Sequence, residues 1–192
     1  LPAVQVALAR AGPDRVRVLA RGGTAIVERR RDGEANHYRI AEYEGDPLEY
    51  LHDPGVASFM EAGWHTSREW LVATARARFP DFVPQVIEMF DSPRTGDVVL
   101  MAAAGWAFYE GEVGGHGSCL ARDMRISLFF AGPDLPRGAA IPCGRLVDVM
   151  PTVVGLLGEQ DRLDRISPID GVNLADQLRR AEPRIEAERT EP

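Results

Sequence analysis

The sequence predicts an α/β fold, with a small antiparallel β-ribbon ahead of a core of mixed helices and strands. Three observations carry that expectation. Alternating polar and apolar segments in the first quarter are separated by Gly22-Gly23 and Asp32-Gly33. Two later runs, residues 98–105 and 126–132, are apolar enough to be strands buried on both faces of a helix-covered sheet. Helix patterns with recognisable start and stop residues lie between and after them.

Taken in order, residues 1–11 fit either a short helix or a strand lead-in. The segments RVRVLAR (15–21), TAIVERR (24–30) and HYRIAEY (37–43) alternate with period two. Gly-Gly and Asp-Gly tolerate positive φ and form tight hairpin turns, so a three-stranded meander is expected. One face carries Arg and Glu and should be solvated. The other carries Val and Ile and should be covered, with the ribbon lying outside the main sheet as a cap. Residues 44–55, EGDPLEYLHDPG, form a loop. Thr66 with Glu69 makes a capping box ahead of WLVATARAR, and Pro80 ends that helix. Val83, Ile87 and Phe90 share a helical face, and Pro93 stops the helix. After the loop PDLPRGAAIPCG, Asp148 is placed to N-cap VMPTVVGLLG. Pro151 is tolerated in the first turn, and Gly158 is a natural stop. The expected organisation is a cap-like β-ribbon over 1–53, an α/β core over 54–180 and a tail over 181–192 with little to bury.

The totals exclude several functions. The chain has 192 residues, 45% hydrophobic and 27% charged, with a net charge of -7. Such a surface repels phosphate backbones and argues against a nucleic-acid polymer as partner. All 22 basic residues are arginine, a bias expected of GC-rich bacterial coding, and no lysine is present to act as a nucleophile. Cys119 and Cys143 lack CxxC spacing and read as free thiols. The longest apolar run is too short to span a bilayer, and no signal-peptide pattern is visible, so a soluble protein is expected. The chain begins LPAV, without Met, as expected of a processed product or a piece of a longer protein.

The stretch GEVGGHGSCLARDM (111–124) holds the candidate site. A lone histidine in a glycine loop is more often simply exposed. His116, however, closely follows a predicted strand, where α/β sheets place ligands. Gly114, Gly115 and Gly117 let the backbone approach a bound ion closely. An imidazole so placed suits a divalent metal. Ser118 as a nucleophile would need a base and oxyanion donors that no motif marks. Arg122 and Arg125 carry guanidinium groups suited to phosphate, although surface arginines are the commoner outcome. Trp64, Trp70 and Trp106 read as core or half-buried anchors.

The order of elements adds a resemblance. His116-Gly117-Ser118, Gly132-Pro133, Asp148 to Thr152, Leu156 to Gly158 and Asp170-Gly171 occur in sequence. That set resembles the C-terminal part of the alkaline phosphatase superfamily, in its type I phosphodiesterase/nucleotide pyrophosphatase and phosphatase branch. The resemblance covers about the second half of the chain. It implies an alkaline phosphatase-like α/β/α sandwich and a metal-dependent phosphoester hydrolase. In the complete enzyme it implies two Zn, with a hydroxyl nucleophile activated by one metal and the leaving oxygen steadied by the other. It assigns His116 as one metal ligand. The nucleophile and the remaining ligands of that family lie upstream of the matched region. No Ser-Asp-His-Gly stretch occurs here, and His37, His52 and His65 are not preceded by Asp. No catalytic residue is therefore expected in this chain, which would bind no metal alone. Its partners would be the upstream part of the same enzyme and a phosphoester small molecule. The alternative is a non-catalytic or degenerate domain of that fold serving assembly or specificity.

Overall fold

In the computed structural model the alternating N-terminal segments pair as antiparallel strands, and they reach further than the sequence pattern indicates. The structure describes residues 2–33, 35–108, 111, 118–163, 165 and 169–183. It is mixed α/β, with one six-stranded antiparallel sheet and several helices. Two compact units are present, Leu1–Ile126 and Ser127–Pro192. No described helix is long and apolar enough to cross a membrane.

The first unit holds the sheet. Its strands are β1 (Val4–Gly12), β2 (Arg15–Ala20), β3 (Gly23–Asp32), β4 (Ala35–Gly45), β5 (His65–Thr66) and β6 (Val98–Ala102), in the order β5-β4-β3-β2-β1-β6. The Gly-Gly turn is obligatory for a reason beyond φ. A Cβ on Gly22 would lie 2.4 Å from the Asp46 carbonyl oxygen, and one on Gly23 only 1.9 Å from that of Glu44. The end of β4 crosses directly over the hairpin, and Asp46 N donates to Gly22 O at 2.9 Å.

Period-two alternation then decides what is buried. Val6 and Leu8, Val16 and Val18, Ala25 and Val27, and Tyr38 all face one side and are buried. Against them pack α1 (Pro54–Glu61), α2 (Ser67–Thr74) and α3 (Phe82–Met89), which contribute Val56, Trp70, Val83, Val86 and Ile87, with Phe90 following. Each such side chain contributes about 1.5–3 kcal/mol on leaving water. Trp70 Nε1–H donates to Tyr38 O at 3.0 Å, so its one polar atom is satisfied inside the core. The other sheet face carries exposed Arg17 and Glu42, as the pattern requires.

Continuing the inward series 25, 27, 29 puts Arg29 in the core, where a guanidinium must be paired. It is. Nη1 and Nη2 each donate to an Asp91 oxygen at 2.6 Å, and Nε donates to Asp14 Oδ1 at 2.8 Å. This fork ties β3 to the end of α3. It holds the Asp91 carboxyl below the usual carboxylate range and keeps Arg29 charged throughout the working pH range.

Three local expectations are corrected by the structure. The ribbon strands do not lie outside the sheet; β2, β3 and β4 are interior to it, because β1 and β6 extend it on one side and β5 on the other. β6 is an edge strand and not doubly buried: Val98 is 59% and Leu100 49% exposed. It pairs with β1 on one edge, and only Val99 and Met101 turn toward the core. Residues 126–132 form no strand, and Phe129 is 88% exposed. Among the described residues no strand is paired with that segment, so its apolar pattern has no sheet to join.

The Thr66–Glu69 capping box is present. Glu69 N donates to Thr66 Oγ1 at 3.3 Å, and Glu69 Oε2 accepts from Thr66 N at 2.7 Å and from Thr66 Oγ1 at 2.8 Å, which lowers the Glu69 pKa. Its helix, α2, stops at Thr74, well before Pro80. The Thr74 hydroxyl donates to Trp70 O at 2.6 Å and accepts from Asp81 N at 2.7 Å, diverting the chain there.

The second unit is built from short helices. A 3-10 turn at Leu146–Asp148 runs into α5 (Val149–Leu156), followed by α6 (Gln160–Leu163) and α7 (Ala175–Arg180). Pro151 sits in the first turn of α5, and Gly158 follows its end with φ 74. A bridge joins Ala139 to Pro183.

Candidate functional site

His116 lies outside the described residues, as do Gly114, Gly115 and Gly117. Its flanks belong to the first unit. Upstream, β6 ends at Ala102, and Ala103 N donates to Ala3 O at 2.8 Å. Downstream, Cys119 and Leu120 are buried in the core of that unit. Ala121 N donates to Arg78 O at 2.8 Å, and α4 (Ala121–Met124) follows.

The candidates around the loop have specific tasks. Ser118 Oγ accepts from Leu120 N at 3.1 Å, closing a local turn. Arg125 Nε donates to Ala75 O at 3.0 Å and its Nη2 to Ala77 O at 3.2 Å. Those carbonyls follow α2, so Arg125 satisfies acceptors that the helix leaves open. Arg122 is exposed and pairs with its neighbour, its Nε 3.4 Å from Asp123 Oδ2. Burial pushes the Cys119 thiol up to about 11, so its nucleophilic thiolate form is suppressed at neutral pH.

The remaining histidines are placed by packing and pairing. His65 stacks on Phe59 at 3.6 Å between ring centroids, with its Nε2 2.6 Å from Phe59 O and its edge toward Trp70. His52 is exposed, with Nδ1 3.0 Å from Asp46 Oδ2. His37 lies on β4 opposite Arg30 and Thr66, and its Nδ1 is buried without a hydrogen-bond partner among the described residues. Among the described residues no group of three or more His, Cys, Asp or Glu is arranged to hold a metal ion. Of the tryptophans, Trp70 is fully buried, Trp106 is half exposed, and Trp64 carries the Arg30 and Arg39 guanidinium groups over its ring at 5.0 and 4.5 Å.

The second unit gives the other motif residues a common explanation. Asp148 is buried, but its side chain does not cap α5. Its Oδ2 accepts from Arg145 N at 2.7 Å, and its Oδ1 accepts from Val172 N at 2.9 Å. One turn on, Thr152 Oγ1 accepts from Leu174 N at 3.0 Å. Two side chains at i and i+4 thus hold alternate backbone amides of the segment after Asp170-Gly171 against the start of α5. The close approach requires Gly171, where a Cβ would lie 2.0 Å from the Val147 carbonyl oxygen; a Cβ on Gly155 would meet the end of the Asn173 side chain. Arg179 completes the clasp by donating to the α5 carbonyls of Gly155 and Leu156 at 3.3 and 3.4 Å.

No family model, curated protein or solved structure matches this chain. The geometry therefore stands by itself. Within it Asp148, Thr152 and Gly171 form a structural clasp between distant parts of one unit. The spacing of Asp148 to Thr152 makes the two side chains neighbours on a helix face. Their target amides, 20 or more residues away, have no local sequence signal.

Proposed function

We propose that this chain is the C-terminal portion of a metal-dependent phosphoester hydrolase with an alkaline phosphatase-like α/β/α sandwich, contributing His116 as one metal ligand. The support begins with the ordered motifs from His116 to Gly171. The observation that carries the proposal furthest is apolar surface without a partner. Residues 126–132 have the composition of an interior strand, yet among the described residues no strand pairs with them, and Ile126 is 64% and Phe129 88% exposed. Along α5 and the turn before it, Leu146, Met150, Val153 and Leu157 follow one another at i, i+4, i+7 and i+11, and all are exposed. The opposite side of α5 is buried through Pro151, Thr152 and Gly155. A segment with the composition of an interior strand and a helix apolar on two sides suit a protein in which more structure packs against them.

One imidazole does not make a zinc site, which takes three or four protein ligands. The described residues contain no other ligand cluster, so the rest of the site would come from upstream. This chain's share of the chemistry would be His116, which lies in sequence between β6 and the buried Cys119–Leu120 pair. Arg122, Arg125 and Ser118 are engaged as described above, Cys119 is buried with its thiolate form suppressed, and none is assigned a catalytic role.

The competing class is a non-catalytic domain of the same fold, favoured for the isolated chain by its lack of a Thr or Ser nucleophile motif and of an Asp-His-Gly motif. Both readings are tested by assaying p-nitrophenyl phosphate and bis-p-nitrophenyl phosphate hydrolysis with added zinc, by the purified chain and by the natural polypeptide that contains it. The expected result is turnover by the longer polypeptide only. Metal-dependent turnover by residues 1–192 alone would overturn the partial-enzyme proposal, and inactivity of both would favour the non-catalytic domain.

A further inference from the structure

We draw no further inference here: the strongest candidate, the exposed apolar stripe Leu146, Met150, Val153 and Leu157 along α5, already supports the proposed function, and nothing in the structure shows what covers it.

Discussion

Replacing Asp148 with alanine should open the second unit at one identifiable place. The buried carboxylate accepts two backbone N–H groups, at 2.7 Å from Arg145 and 2.9 Å from Val172. A hydrogen bond to a charged group contributes about 1.5–3 kcal/mol. Val172 is partly exposed, so its amide recovers water when released, and the low end applies. Two bonds at that value give a loss of about 3 kcal/mol. Where local opening governs exchange, that is roughly a hundredfold loss of protection. The assay is amide hydrogen exchange by NMR, read at Arg145, Val172 and Leu174, with β3 amides as the internal reference. Asp148→Asn should fall between, because one acceptor survives while the new amide nitrogen faces an N–H. Exchange at Arg145 and Val172 within about threefold of wild type in Asp148→Ala would refute the clasp.

Other expectations follow from the same geometry. Arg29→Ala breaks a buried fork. Because Asp14 and Asp91 are partly exposed and regain water, the low end of the cost of breaking a buried pair applies, about 3 kcal/mol by chemical denaturation. A change below about 1 kcal/mol would mean that the fork contributes little. The Asp91 pKa is lowered in the folded state, chiefly by its hydrogen bonds from Arg29. Its stabilisation is therefore fully present above the unfolded carboxylate pKa and is lost as pH falls through the lower folded value. Urea titrations below pH 4 should show wild type losing stability more steeply than Arg29→Ala; parallel curves would contradict this. Cys119, with its thiol raised to about 11 by burial, should react with a thiol reagent at pH 8 only as the first unit unfolds, and labelling at the rate of an exposed thiol would show that segment to be undocked.

What the sequence made legible was mostly local. The ribbon was readable because alternation and Gly-containing turns act within ten residues of one another. The Thr66–Glu69 box, the Val83–Ile87–Phe90 face and the Gly158 stop were readable for the same reason. β1 was ambiguous, since VQVALARAG satisfies both a helical and a strand period. Apolar content misled at β6 and at 126–132. Hydrophobicity records that a segment gains by burial; it does not record whether a neighbouring strand is there to pair with it. The length of α2 was overestimated because Thr74 binds an amide seven residues away. Arg29 carries no mark in the sequence that separates it from the arginines of the solvated ribbon face; only the register of β3 places it inward. Of the elements on which the resemblance rests, Asp148 to Thr152 and Asp170-Gly171 lie in the second unit, where Asp148 and Thr152 accept from the amides of Val172 and Leu174. His116 itself lies outside the described residues, so the central assignment rests on sequence and on the anchoring of its flanks.

That assignment is tested most directly by metal analysis of the natural polypeptide that contains this chain, comparing wild type with His116→Ala and His65→Ala. Both substitutions remove an imidazole, but His65 is engaged with Phe59 and Trp70. His116→Ala should lower bound zinc and phosphoester hydrolysis together, on the order of 10- to 100-fold or more. His65→Ala should keep its zinc, whatever it loses in stability. Full zinc retention by His116→Ala, or equal loss in both variants, would show that the glycine loop carries no metal ligand.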